Sequence, residues 1–229
     1  MQQTALNLIA IGVFAMTLSS LLGPMLNISP TIPAIATVSI MGLATLDTLS
    51  FQGKGITLLL ELFAGADSKY RDRVLRHEAG HFLVAYLLEI PITGYTLSAW
   101  ETFRQGIPGQ GGVIFDTQKL QQETTTPWDL QVTLDRFCTV WMAGIAAEIL
   151  VYGSAEGGAE DRQKIREALT QVGRQESGAQ QKERASAMQA RTLIEENYPA
   201  YEALLATMEQ RASVEECYQV LQQHLVRSS

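Results

Sequence analysis

The stretch Arg73-Val-Leu-Arg-His77-Glu78-Ala-Gly-His81-Phe-Leu-Val-Ala-Tyr86 constrains this chain more than any other. Its apolar positions Val74, Phe82, Leu83, Tyr86, Leu87 and Ile90 recur at the helical period, and Pro91 ends the pattern. On a helix, His77 and His81 stand one turn apart on the same face. Two neutral imidazoles so placed can share one zinc ion. Glu78 is turned by about 100° from His77. From there it can reach an activated water and take its proton. The plain alternative is an amphipathic helix with two part-buried histidines.

Downstream, Ile92 to Trp100 alternates and is rich in β-formers, which predicts a strand. After a loop at Gly106 to Gly109, Gly111-Gly-Val-Ile-Phe115 reads as a second strand, and polar residues 116–126 read as an exposed loop. An exposed strand edge beside a protease metal can hold substrate by main-chain hydrogen bonds, and Gly111 and Gly112, with Val113, would permit that close approach. A structural hairpin is the competing reading. Pro127 starts a long helix, with Leu130, Leu134, Phe137, Cys138, Trp141, Met142, Ile145, Ile149 and Leu150 as its expected core face, and Gly153 stops it. Glu148, set among these apolar residues, either has a metal-binding histidine as the partner that a buried carboxylate needs or sits at the rim of the core. Asp161 opens the next helix and is a natural third ligand. Acidic residues also favour helix N-termini for electrostatic reasons alone, and spacing does not choose among Asp161, Glu160, Glu156 and Glu148. Three more helices are expected, over residues 185–197, 198–211 and 213–226, the last with a Ser213/Glu216 capping box. His224 has no acidic or thiol partner at ligand spacing.

Charge is distributed unevenly. The chain has 229 residues and a net charge of −7, with no basic footprint for nucleic acid. No charged side chain precedes Asp47. Two apolar runs lie there, about residues 5–26 and 31–49, each close to the roughly 20 residues of a bilayer-spanning helix. Asn27-Ile-Ser-Pro30 joins them. They predict a membrane hairpin over 1–50, with buried core helices as the alternative, and a surface-lying apolar helix follows within 51–66. The first charges beyond are mostly Lys and Arg, which puts residues 67–229 on the cytoplasmic or stromal side. Cys138 and Cys217 have no metal or disulfide spacing and read as packed thiols.

Four segments carry a resemblance. They are His77 to His81, the strand after it, Met142-Ala-Gly-Ile-Ala-Ala-Glu148-Ile-Leu-Val-Tyr-Gly153 with Glu156-Gly-Gly-Ala-Glu-Asp161, and Ala190-Arg-Thr-Leu-Ile-Glu-Glu-Asn197. In this order they resemble the peptidase domain of FtsH-type membrane zinc metalloproteases, over about residues 70–222. The resemblance implies a mainly α, zincin-like domain with a small β-hairpin. It also implies zinc held by His77, His81 and Asp161, with Glu78 as general base and Glu148 near the metal. The departures are instructive. The family's ATPase domain has no room here, and Gly53-Lys54-Gly55 is not a phosphate loop, so no ATP is expected. Ile145 and Ile149 stand where the family has Arg and Glu, and Glu156-Gly-Gly-Ala replaces its Thr-Gly-Ala-Ser. The expectation is an ATP-independent, membrane-anchored zinc endopeptidase acting on unfolded or membrane proteins in a plasma or thylakoid membrane. It would form a homo-oligomer or associate with FtsH-type homologues. The rival expectation is a non-proteolytic zinc scaffold or chaperone-like partner of those homologues.

Overall fold

The computed structural model describes residues 2–26, 29, 31–50, 68–105, 112–116, 126–173 and 176–226. The expected surface helix within 51–66, the loop at Gly106 to Gly109, Gly111 and residues 117–125 lie outside them. In chain order the helices are α1 (Gln2–Leu22), α2 (Thr31–Ser50), α3 (Ser68–Leu87), α4 (Ala99–Arg104), α5 (Pro127–Tyr152), α6 (Ala159–Gln171), α7 (Glu176–Glu196), α8 (Tyr198–Glu209) and α9 (Val214–Val226). The strands are β1 (Ile92–Thr96) and β2 (Gly112–Phe115). The chain is thus mainly helical, with one two-stranded antiparallel sheet among the described residues. It divides into two units, Met1–Tyr70 with Ser98–Gln110, and Arg71–Leu97 with Gly111–Ser229.

In the first unit, α1 and α2 form a helical hairpin, with the Thr37 hydroxyl 2.8 Å from Met16 Sδ. Phe14, Leu21, Met25, Ile32, Ile35 and Val38 are all exposed on it. Two helices are what the sequence predicts, while Asn27, Ile28 and Pro30 of the expected turn lie outside the described residues. The expected crossing of a bilayer is not supported: among the described residues, no helix is long and apolar enough to cross a membrane. The predicted strand over Ile92 to Trp100 needs correction. It ends at Thr96, and α4 follows. The reason is local. The Ser98 hydroxyl accepts from Glu101 N at 3.1 Å and the Ser98 carbonyl accepts from Thr102 N, so serine caps a helix where β-formers suggested continuation.

The second unit is built around α5. The Thr126 hydroxyl accepts from Asp129 N while the Asp129 carboxylate accepts from Thr126 N, a capping box with Pro127 in the first turn. Gly153, at φ 75°, closes the helix. Between Cys138 and Glu148, α5 is buried on nearly every side. Cys138, Met142 and Ile145 pack with Ile165 and Leu169, while Val140, Ala143 and Ala147 pack with Phe82, Leu204 and Leu221. Leu130 and Ile149, expected in this core, are exposed because they lie near the ends of α5, beyond the enclosed stretch.

Helix α3 crosses α5 through small residues. A Cβ on Gly80 would stand 2.7 Å from the Ala143 carbonyl and 2.8 Å from Ala147 Cβ. No larger residue permits that approach. The sheet pairs Tyr95 with Val113 and Thr96 with Gly112, with an irregularity between Ile92 and Gly94. It is tied to α9, since the Tyr218 hydroxyl accepts from Ile92 N at 3.0 Å. The Ser213/Glu216 cap of α9 forms as predicted.

Candidate metal centre

The close α3–α5 crossing brings His77 and His81 against α5. Both rings are buried, with centroids 4.7 Å apart and planes at 76°. His81 Nδ1 lies 2.7 Å from the Val140 carbonyl oxygen. A carbonyl only accepts, so His81 carries its proton on Nδ1 and leaves Nε2 free as a donor to metal. His77 Nδ1 lies 2.8 Å from Glu148 Oε1. Glu148 also accepts from Arg73, Glu156 N and Gly157 N, so it is a carboxylate, and His77 Nδ1 is again the donor.

The two Nε2 atoms converge on one oxygen. Asp161 Oδ2 lies 3.2 Å from His77 Nε2 and 3.5 Å from His81 Nε2. Asp161 is delivered by the start of α6. Gly158, at φ 86°, turns the chain there, and a Cβ on it would collide with Ile145. The ligand atoms of His77, His81 and Asp161 all lie within 4.8 Å of one another, and this buried trio could hold a metal ion. Two imidazoles whose Nδ1 protons are tied to acceptors, so that loss of an Nε2 proton bares a ligand lone pair, and one carboxylate form a donor set that suits a divalent metal ion.

The competing carboxylates separate cleanly. Glu148 is buried but occupies the outer nitrogen of His77. Glu160 is exposed. Glu156 is exposed and pairs with Arg73 at 3.4 Å.

Electrostatics follow the geometry. Burial alone would lower the His77 pKa, but its bonds to Asp161 and Glu148, with the charge of Glu78, push it up to about 10. Burial would raise Glu148, yet His77, the Glu156 amide and Arg73 hold it down at about 2. Burial would also raise Asp161. The pull of His81, the bonds from both histidines and the nearby Lys164 hold it far below the ordinary carboxylate range.

Glu78 points to the sheet. Its Oε2 accepts from Val113 N at 3.1 Å, and a Cβ on Gly112 would stand 2.9 Å from that oxygen. The close approach expected of Gly112 and Val113 is thus made to Glu78.

No family model and no curated protein sequence matches the chain.

Four features of the centre escaped sequence reasoning. Arg73 precedes His77 by one helical turn, and its guanidinium binds Glu148 at 3.0 Å and the Ser154 carbonyl at 3.2 Å. That i,i+4 spacing was the available signal. Gly144 leaves room for the His77 ring, and its spacing four residues before Glu148 put both on one face. Lys164, three residues after Asp161, binds its second oxygen at 3.1 Å. The Val140 carbonyl had no sequence signal.

Proposed function

We propose that the chain is an ATP-independent zinc metalloendopeptidase of the FtsH type that cuts unfolded or flexible protein segments. The observation that carries this reading is the convergence of His77 Nε2, His81 Nε2 and Asp161 Oδ2, with Glu78 on the helix that bears both histidines. Three protein ligands leave a further position open, the pattern of catalytic rather than structural zinc. Bound there, zinc would supply a Lewis acid for the scissile carbonyl and an acidified water for the attack. Glu78 takes the proton of the attacking water and hands it to the leaving amine. Glu148 and Val140 keep both imidazoles in the ligating tautomer throughout. β2 lies beside Glu78, and an extended peptide would pair with its main chain by displacing Glu78 from the Val113 amide.

One observation favours the rival, a non-proteolytic zinc partner of FtsH-type proteases. The carboxylate that must meet water is bound to the Val113 amide. Purified full-length protein, incubated with a panel of unfolded peptides with and without chelator, separates the two. Cleavage that chelator and Glu78→Gln both abolish supports the protease. Stoichiometric zinc with no cleavage of any peptide supports the partner.

The membrane anchor rests on the N-terminal hairpin, with its uncharged sequence before Asp47 and its exposed Phe14, Ile35 and Val38. Resistance of the intact protein to carbonate extraction is the expected result, and its release would remove the anchor.

A further inference from the structure

The proposed chemistry leaves Lys164 without a role. Lys164 lies on α6, one turn beyond Asp161, and its Nζ is 3.1 Å from Asp161 Oδ1. The lysine side chain is 48% exposed, the aspartate side chain 9%. With a half-exposed lysine at i,i+3 the pair would contribute little to stability. Its placement at the centre matters more. The two oxygens of Asp161 are divided: Oδ2 faces both Nε2 atoms, and Oδ1 faces the ammonium group. A carboxylate can ligate a metal through one oxygen or both. With its second oxygen held elsewhere, it ligates through one.

We propose that Lys164 is a positioning residue that makes Asp161 a one-oxygen metal ligand and so preserves the open position. The proposal rests on the metal-centre reading above. Without the lysine, Asp161 can turn Oδ1 inward as a further ligand, which raises the coordination number and crowds the position that water needs.

Zinc is spectroscopically silent, so the test uses Co2+ in the full-length protein. The d–d bands of Co2+ are intense at four-coordination and weaken as the coordination number rises. The unmodified protein should bind one Co2+ with intense bands. Lys164→Met should still bind one Co2+ with bands that lose intensity and move to higher energy. Lys164→Arg, which keeps a cationic donor, should restore the intense spectrum. Lys164→Ala replaces the Met variant if circular dichroism shows that variant unfolded. Identical spectra for the unmodified and Met variants at full loading would overturn the role of Lys164 and leave the metal centre standing. Loss of Co2+ from the Met variant would also overturn it, because the lysine would then govern retention rather than ligation mode. Failure of the unmodified protein to bind Co2+ would instead remove the metal centre itself.

Discussion

Gly144→Ala sets two known quantities against each other. An alanine inside a helix is favoured over glycine by about 1 kcal/mol, so on propensity alone the variant gains stability. Yet a Cβ at residue 144 would lie 2.6 Å from His77 Cε1 and closer still to Nε2 and Cδ2. The ring cannot swing aside. His77 is only 8% exposed, its Nδ1 is bound to Glu148 at 2.8 Å, and its Nε2 faces Asp161 at 3.2 Å. Overpacking costs about 1–3 kcal/mol, and a disturbed charge-assisted hydrogen bond about 1.5–3 kcal/mol. The clash wins, and the metal-free variant should lose about 2–4 kcal/mol. Zinc affinity should fall by more than the roughly 10- to 100-fold typical of losing an outer partner, because a ligand itself is displaced. Gly178→Ala is the control. Nothing lies within 4 Å of a Cβ there, so α7 should gain about 0.5 kcal/mol. Urea unfolding of the metal-free proteins and zinc competition with a chelator give both numbers. A Gly144→Ala protein stabilised like Gly178→Ala, with undiminished zinc affinity, would refute the reasoning.

The order of zinc loss among variants should be His77→Ala, His81→Ala and Asp161→Ala first, Glu148→Ala next by roughly 10- to 100-fold, and Glu78→Gln least. Glu160→Ala and His224→Ala should match the unmodified protein, since Glu160 is exposed and His224 Nδ1 bonds within its own helix to Val220 O. An Asp161→Ala protein that keeps its metal while Glu148→Ala loses it would show the ligand assignment to be wrong. The metal-free protein should also show a defined pH profile. His77 is raised from 6.5 to about 10, so its contribution is complete below pH 6.5 and is lost as pH climbs through 10. Glu148 is lowered from 4.5 to about 2, so its contribution is complete above pH 4.5 and is lost on acidification through 2. Melting temperature should therefore peak between these limits and decline on the alkaline side. Saturating zinc should remove that alkaline decline, because metal requires the neutral imidazole. A flat alkaline limb without metal would count against the His77 environment described here.

The α3 motif and the helix pattern were legible because periodicity and ligand spacing are local properties of the chain. The rest depended on contacts that spacing does not encode. Ser98 ended a strand that composition would have continued, although its offset from Glu101 was a readable cap signal. Asp161 could not be told from Glu160 by sequence position, since both belong to one helical turn. Burial tells them apart: Asp161 is 6% exposed and Glu160 faces solvent. Gly111, Gly112 and Val113 were read as a peptide-binding edge. Of these, Gly111 lies outside the described residues, and Val113 offers its amide to Glu78. The run Ala143-Gly-Ile-Ala-Ala147 read as part of a resemblance. Its physical content is small size, which lets Gly80 and His77 reach the α5 backbone.

Glu148 explains why two candidate ligands from distant parts of the chain should move together. Arg73 and His77 bind it from α3, one turn apart. The amides of Glu156 and Gly157 bind it from the loop that leads into α6. Arg73 spans the same gap a second time through the Ser154 carbonyl and Glu156. The loop has little room to slip, since a Cβ on Gly157 would stand 2.9 Å from Glu148 Oε1. One buried carboxylate thus fixes the tautomer of His77 and anchors the segment that delivers Asp161. A conventional outer partner acts on one ligand. Glu148 acts on two, so its removal should loosen the site at both His77 and Asp161. That places Glu148→Ala at the upper end of the roughly 10- to 100-fold range rather than the lower.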